Sequence, residues 1–185
     1  MDQQKNRNDI KILSIGAAVQ DVYLKGALFE PVCEPDGECV EEFQLGSKND
    51  LEEVIFSTGG GATNGAVTFA RQGLHSAYMG KIAHDVAGRA ILDDLHKEGI
   101  DTSLVGYSKS VGSGYSCILL APSGERTIMS YRGASSHYEV NFEDFHGAHP
   151  DWIYLTSLEG NFEVIDTIFK YAEENNIKIA MNPDR

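Results

Sequence analysis

Short apolar runs alternate with longer amphipathic stretches along this chain. The runs typical of buried strands are residues 10–15, 76–80, 152–156 and 177–181. Apolar residues at spacings of three and four predict helices after Asn64, after Asp85 and around Ile168. Strands that alternate with helices predict a mostly parallel sheet with helices on both faces.

Two segments interrupt this alternation, residues 22–56 and 106–132, and both have the composition of short strands and turns. The second predicts a hairpin around a turn at residues 122–125. We therefore expect one α/β domain over residues 10–185, with three α/β/α layers and the two segments forming a small β lid. The strand at residues 177–181 would be central in such a sheet with nothing following to cover it. We accordingly expect the front part of a longer protein, with the C-terminal part missing.

Composition excludes several classes of protein. Of the 185 residues, 42% are hydrophobic and 23% are charged, which is typical of a globular domain. The formal net charge of −13, without a basic patch, argues against a nucleic-acid partner. No apolar run is long enough to span a bilayer, and the polar N-terminus does not resemble a secretory signal. We expect a cytoplasmic protein with no membrane partner.

Cysteine and histidine spacing gives little sign of a metal site. Cys33 and Cys39 flank a turn, so a disulfide and a metal pair are both open, but three cysteines are too few for a disulfide scaffold and we expect reduced thiols. Neither cysteine has the further Cys or His ligands that zinc requires. The histidines also lack ligand spacing and are expected in surface or loop positions: His84, His96, His137, His146 and His149.

Three consecutive glycines, Gly59, Gly60 and Gly61, precede Asn64 and an apolar helical stretch. Glycines at the start of a helix leave the backbone accessible, and the unpaired N–H groups of the first turn attract anions or hydroxyls. A dinucleotide fingerprint would need glycine where Asn64 stands, and a P-loop would need Gly-Lys-Ser/Thr. The pattern therefore favours a different small, polar ligand.

Asp21 is the second candidate. It follows Gly16 by five residues, which predicts a position just past the carboxyl end of the first strand, where ligands of open α/β sheets bind. A carboxylate there can accept two hydrogen bonds from a polyol, although on its own an aspartate in this position is more typically a surface turn residue. Arg132, at the end of the hairpin, could reach an anionic group, although an exposed strand-end arginine is the favoured interpretation.

Three segments together resemble the ribokinase-like (PfkB) carbohydrate kinases. They are residues 16–21, residues 59–64 with Gly73, and residues 80–85 with Gly88. Their order and spacing match the family from about Ile10 to the last residue, and the glycine-rich segment is similar to the family's N-terminal signature. The resemblance implies a ribokinase-like fold and a sugar kinase that transfers the γ-phosphate of ATP to a sugar hydroxyl.

The resemblance also assigns residues. Those it places at the sugar are Asp21, Gly59, Gly60, Gly61, Asn64 and Glu159. Glu159 is equally well explained as a cap of the following helix. Asn182 matches an asparagine near the ATP phosphates and metal, and a simple turn before Pro183 explains it about as well.

One departure from the family limits the expected activity. Its second signature, Gly-Ala-Gly-Asp, carries the catalytic base and the anion hole, and nothing in these 185 residues matches it. We expect ATP and Mg²⁺ to serve the complete enzyme, with neither bound by this fragment alone and no catalytic residue within it. The partner would be a sugar or related polyol, and the lid suggests a homodimer. The alternative is a truncated, non-catalytic protein that binds a sugar or nucleoside.

Overall fold

The computed structural model describes residues 9–137, 139–140, 142–145 and 147–183. Its helices are α1 (Gly61–Arg71), α2 (Val86–Lys97) and α3 (Phe162–Glu174). Its strands are β1 (Lys11–Ile15), β2 (Val19–Lys25), β3 (Val32–Cys33), β4 (Cys39–Val40), β5 (Glu53–Gly59), β6 (His75–Met79), β7 (Lys81–Ala83), β8 (Gly106–Ser108), β9 (Gly114–Leu120), β10 (Arg126–Tyr131), β11 (Trp152–Leu155) and β12 (Lys178–Met181). None of the helices in these ranges has the length and apolarity that crossing a bilayer requires.

The central sheet has the order β12-β11-β1-β6, and every pair in it is parallel. This confirms the predicted alternation of strands and helices. Within the described residues, β12 lies at an edge of this sheet with β11 as its neighbour. The carboxyl ends of all four strands meet at one edge, which is where ligands bind in folds of this kind.

The two faces of the central sheet are covered by different helices. One face packs Leu13 and Leu155 against Ile168 of α3, and all three side chains are buried. On the other face, Gly65 of α1 lies so close to Tyr154 that an added Cβ would be 2.5 Å from the ring. A helix on each face gives the predicted three-layer arrangement.

The second sheet, here called the lid sheet, has the order β10-β9-β2-β5. β9 and β10 form the predicted antiparallel hairpin, while β2 pairs parallel to β9 and antiparallel to β5. Helix α2 lies against this sheet, and the Thr58 hydroxyl of β5 donates to the Asp94 carboxylate of α2 at 2.9 Å. The lid segments are therefore joined into one sheet rather than forming two separate appendages.

A disulfide joins Cys33 to Cys39, so the expectation of two reduced thiols is wrong. The short antiparallel pair of β3 and β4 places the two residues directly opposite each other. Cross-strand neighbours bring their side chains close together, which the turn alone did not reveal. Cys117 is the remaining free cysteine.

Helix starts were predicted with uneven accuracy. Asp85 caps α2 as expected, because its carboxylate accepts a hydrogen bond from the backbone N–H of Gly88 at 2.8 Å. Helix α1 starts at Gly61, three positions before Asn64, although the helix was expected to start after Asn64. Glycine has a low helix propensity, which hides this first turn in the sequence.

Candidate functional site

The triglycine loop is the direct passage from strand β5 into helix α1. Gly60 has a φ of 106°, and a Cβ there would lie 2.3 Å from the carbonyl oxygen of Ala17. A Cβ on Gly59 would lie 1.9 Å from Oδ2 of Asp21, and one on Gly61 would lie 3.0 Å from Thr156. Each glycine is therefore required by a close neighbour, and the loop exposes backbone rather than side chains.

Thr63 fixes the conformation of this loop. Its buried hydroxyl donates to the carbonyl of Gly59 at 2.7 Å and lies 3.0 Å from that of Gly60. A hydroxyl bound to carbonyls one turn earlier restrains the glycines, whose backbones are otherwise unusually free. The sequence contained this signal, a threonine inside the glycine-rich motif, but the prediction had given it no role.

Asp21 lies in the middle of strand β2, which follows β1 in the chain, so the alternative of a surface turn residue is wrong. The strand starts at Val19, four residues after β1 ends, and Asp21 pairs in register with Ser57 of β5 and Ser116 of β9. From the other side of β2, Nε2 of Gln20 donates to the carbonyl of Ser57 at 2.8 Å and to that of Asp21 at 3.2 Å. Sheet pairing and this amide together hold Asp21 in place.

The Asp21 carboxyl is half-buried, and burial raises its pKa above the usual aspartate value. A hydrogen bond from the Ser116 hydroxyl acts in the opposite direction and is the smaller effect. A partly desolvated carboxylate forms stronger hydrogen bonds with a ligand than one fully surrounded by water. This electrostatic setting suits an acceptor for ligand hydroxyls.

A cavity of about 230 Å³ opens beside the triglycine loop. Its lining residues include Gly60, Gly61, Arg132, Thr156, Glu159 and Asn182. It brings together four of the residues proposed from the sequence, since Glu159 follows β11 and Asn182 follows β12. Asp21, Gly59 and Asn64 are not among its lining residues, although the Asp21 carboxylate packs directly on Gly59, next to the cavity wall.

Glu159 sits in a turn after β11 and has a left-handed φ of 57°. Its carboxylate accepts a hydrogen bond from the Arg132 guanidinium at 2.5 Å. The expected alternative role as a helix cap is wrong, because Asn161 caps α3 by accepting from the N–H of Val164 at 3.2 Å. Arg132 is an exposed strand-end arginine, as expected, and its side chain is ion-paired with Glu159.

Asn64 and Asn182 both lie near the triglycine loop, Asn64 in the helix that follows it and Asn182 in the wall of the adjacent cavity. Asn64 lies in the first turn of α1, where its backbone N–H donates to Gly60 and its side chain is exposed. Asn182 lines the cavity while its backbone N–H donates to the carbonyl of Leu155 at 2.8 Å. That bond continues the ladder beyond β12, so Asn182 is held as an extension of the strand.

A larger cavity, of about 740 Å³, lies elsewhere in the molecule. Lys11 and His75, at the starts of β1 and β6, line it together with Phe145 and Pro150. It therefore opens at the amino ends of the central strands, away from the triglycine loop. Its size alone does not make it the better candidate, because ligands of parallel α/β sheets bind at the carboxyl ends.

Metal ligands do not cluster in the described ranges, where no group of three His, Cys, Asp or Glu side chains could hold an ion. His84 stacks on Tyr107 at a centroid distance of 4.1 Å, and Nδ1 of His137 lies 3.2 Å from the carbonyl oxygen of Gly133. His146 lies outside the described residues.

Comparison with known proteins gives a consistent result. The sequence profile of the pfkB family carbohydrate kinases matches residues 34–176. Ribokinase from Haemophilus influenzae is 30% identical over 128 residues, which are 68% of this chain and 42% of that protein. 5-Dehydro-2-deoxygluconokinase from Clostridium beijerinckii is 33% identical over 87 residues, 46% of this chain and 26% of that protein.

Solved structures agree on the fold. Ribokinase from Cryptococcus neoformans var. grubii serotype A, crystallised in complex with ADP, matches with a TM-score of 0.70 at 18% identity. The match covers 95% of this chain and 50% of that one. The ribokinase-like α/β fold is thereby confirmed, and the chain spans about half the length of the relatives it matches.

Proposed function

This chain belongs to the pfkB family of carbohydrate kinases, and we propose that it is the sugar-binding portion of an ATP-dependent sugar kinase of the ribokinase type. In the whole enzyme a sugar hydroxyl would attack the γ-phosphate of ATP. We place the domain at residues 10–185, with lid segments at approximately 22–56 and 106–132. The chain supplies the pocket and the lid, and on its own is expected to lack turnover.

The observation that carries this proposal is the fit between Asp21 and the triglycine loop. The loop has no side chains, so a flat sugar ring can lie on its backbone, and Asp21 on Gly59 can accept hydrogen bonds from the hydroxyls at the ring edge. Asn64 adds a donor and an acceptor from the first turn of α1. Glu159 offers a second carboxylate across the cavity, beside Arg132.

The ionic partners at the cavity favour a neutral polyol. The positive charge of Arg132 is already balanced by Glu159, so a carboxylate or phosphate on the sugar would meet a second negative charge beside it. A neutral sugar gains hydrogen bonds with both side chains without breaking the pair. Water exclusion by the lid sheet would strengthen these contacts.

ATP and Mg²⁺ are proposed as cofactors of the complete enzyme. Asn182 fits a place near nucleotide phosphates because its side chain lines the same cavity as the triglycine loop. Within the described part of the chain no cluster of three acidic or imidazole ligands accompanies it, so this portion is not expected to hold a cation alone. The bound nucleotide would supply the transferred phosphoryl group.

A homodimer through the lid is proposed as the assembly. The edge strands β5 and β10 of the lid expose large apolar side chains, with Val54, Phe56, Met129 and Tyr131 on one face and Ile128 on the other. Exposed apolar side chains of this size are typical of an interaction surface. A second copy of the chain would cover them symmetrically.

The proposal is tested by a thermal-shift screen against neutral sugars, sugar acids and nucleosides. We expect a neutral sugar to raise the melting temperature of the wild-type chain and to have no effect on Asp21→Ala. Asp50→Ala, an exposed aspartate in the lid insertion, is the matched control and should respond like the wild type. Equal stabilisation of Asp21→Ala and wild type by the same sugar would refute the site assignment.

ATP consumption by the same samples distinguishes the alternative function. A sugar kinase portion is expected to bind sugar without turnover and to gain turnover when the residues that follow it in the gene are included. Sugar or nucleoside binding that never leads to ATP consumption, in any length of the gene product, would favour a non-catalytic binding protein.

A further inference from the structure

The short connection between β1 and β2, residues 16–18, joins the central sheet to the lid sheet. It touches the triglycine loop, because a Cβ on Gly60 would lie 2.3 Å from the carbonyl oxygen of Ala17. Just beyond it, β2 carries Asp21. The position of this connection therefore affects both the backbone that supports the loop and the place of the Asp21 carboxylate beside it.

Side-chain hydroxyls from three other parts of the chain hold the carbonyls of this connection. The Tyr78 hydroxyl of β6 donates to the carbonyl of Gly16 at 2.9 Å. The Ser135 hydroxyl, beyond β10, donates to the carbonyl of Ala18 at 3.0 Å. The Thr156 hydroxyl, just after β11, donates to the last carbonyl of β1 at 3.4 Å. Each bond joins segments that are distant in the chain, so tertiary contacts hold the connection in place.

Tyr78 differs from the other two donors in its distance from the cavity. Ser135 and Thr156 line the cavity beside the triglycine loop, whereas Tyr78 is fully buried and is not among its lining residues. Its hydroxyl occupies a narrow space, since a Cβ on Gly80 would lie 1.8 Å from the hydroxyl oxygen and 2.6 Å from the carbonyl oxygen of Gly16. A glycine at position 80 thus leaves the room that this hydrogen bond needs.

The Tyr78 bond acts at the residue where the chain leaves the central sheet. The N–H of Gly16 donates to the carbonyl of Met79 at 3.2 Å, which extends the pairing of β1 with β6. The φ of Gly16 is 147°, a conformation that glycine adopts readily and other residues rarely do. Because a glycine backbone restrains itself so little, the neighbouring hydroxyl is what fixes the direction of the Gly16 carbonyl.

We propose that Tyr78 is a positioning residue for sugar binding: its hydroxyl holds the β1–β2 connection against Gly60 and so keeps the triglycine loop and Asp21 in the arrangement that a sugar requires. The proposal rests on the proposed function, in which the loop and Asp21 bind the sugar. Tyr78 acts through the backbone of Gly16 and contacts no ligand itself. A buried carbonyl that loses its donor is costly, so the connection should move when the hydroxyl is removed.

The first test compares two variants of the sugar-free chain by nitrogen-15 NMR. Tyr78→Phe and Tyr171→Phe each remove one hydroxyl from a buried tyrosine and keep the ring. Tyr171 is the matched control, because its hydroxyl donates to the carbonyl of Ala148 at 2.6 Å, beside the larger cavity at the amino ends of the strands. Both variants should melt about 2–4 °C lower than the wild type, the effect of one lost hydrogen bond. Only Tyr78→Phe should shift the amide signals of Gly60 and Asp21.

Unshifted signals of Gly60 and Asp21 in Tyr78→Phe overturn the proposal. Equal shifts of these two signals in Tyr78→Phe and Tyr171→Phe overturn it as well, because the loop would then respond to any loss of stability.

The second test measures the sugar affinity of the same proteins by calorimetry, with the sugar that gives the largest thermal shift. Tyr78→Phe should bind it about five- to tenfold more weakly, and Tyr171→Phe should bind it like the wild type. A purely structural role of the hydroxyl would leave both affinities unchanged or lower both equally, and either result contradicts the proposal. If no sugar binds the wild type, the proposed function fails, whereas the sugar-free spectra still decide the role of Tyr78.

Discussion

The central sheet and the lid sheet both have four strands, but they differ in how their side chains are covered. Four of the five residues of β1 are buried, whereas all six residues of β10 are exposed. Helices α1 and α3 cover both faces of the central sheet. The lid sheet is covered in part by α2 and by a small apolar cluster around Phe29 and Leu119.

This difference separates two roles within one domain. A sheet with packed faces has a geometry set by its whole core, so it can hold helix α1 rigidly at one end of the triglycine loop, whose other end is β5 of the lid sheet. The lid depends on strand pairing and on a few anchors at its ends. Asp85 binds Ser113 just before β9, and Arg132 binds Glu159 just after β10.

The largest expected effect comes from removing matched isoleucines from the two sheets. Ile153 of β11 is fully buried, whereas Ile128 of β10 is 52% exposed. Ile153→Ala should reduce the free energy of unfolding by about 2–5 kcal/mol, because it removes buried methyl groups and leaves a cavity. Ile128→Ala should cost about 0.5 kcal/mol or less. Urea unfolding of both variants checks this.

An equal loss of unfolding free energy in Ile153→Ala and Ile128→Ala would contradict this difference between the two sheets. It would mean that Ile128 is buried in solution, against a second copy or another surface. Repeating the unfolding at several protein concentrations separates these cases, since stabilisation by a dimer depends on concentration.

A smaller effect is expected at the first anchor, where the Asp85 carboxylate accepts hydrogen bonds from Ser113 and Gly88. Burial raises the pKa of Asp85, but hydrogen bonds from the backbone of Ser113 and Gly88 and from the Ser113 hydroxyl together lower it below the usual value. Asp85→Ala should cost about 1–2 kcal/mol at neutral pH, the typical loss for a helix cap. Asp93→Ala, an exposed position of the same helix, should cost much less.

The pH dependence of this anchor has a defined sign. Because the pKa of Asp85 is lower in the folded than in the unfolded chain, its stabilisation is fully present above the unfolded pKa. It is lost as pH falls through the folded pKa. The stability difference between wild type and Asp85→Ala should therefore shrink below about pH 4, and a difference that stays constant to lower pH would refute the anchor's electrostatic part.

The smallest effect is expected at the second anchor. The Arg132 and Glu159 side chains are 61% and 39% exposed, so solvent screens their attraction. Arg132→Ala should change the free energy of unfolding by about 0.5 kcal/mol or less. A loss as large as that of Asp85→Ala would show that both anchors hold the lid equally, which would remove the distinction between them.

Sequence patterns predicted the central elements well because periodicity and caps are local signals. The strands around Leu13 and Ile153 and the cap at Asp85 could be read within a few residues of each position. The contacts that define the site are not local. Asp21 packs on Gly59 and pairs in register with Ser116, residues 38 and 95 positions away in the chain.

The errors have the same origin. A surface turn at Asp21 stayed open as an alternative because β2 follows β1 closely and its half-buried positions blur the alternation. The pairing of Cys33 with Cys39 depends on strand register, and that of Arg132 with Glu159 depends on how the lid meets the central sheet. The residue types of the glycine loop, together with Asp21, Asn64, Glu159 and Asn182, marked the site in advance.

The central claim is that the triglycine loop and Asp21 form the sugar site, and a crystal structure with the strongest-binding sugar tests it most directly. The account predicts a sugar ring on the backbone of Gly60 and Gly61, with a hydroxyl within about 3.2 Å of the Asp21 carboxylate. A sugar bound instead in the larger cavity at the amino ends of β1 and β6, with the glycine loop empty, would contradict it.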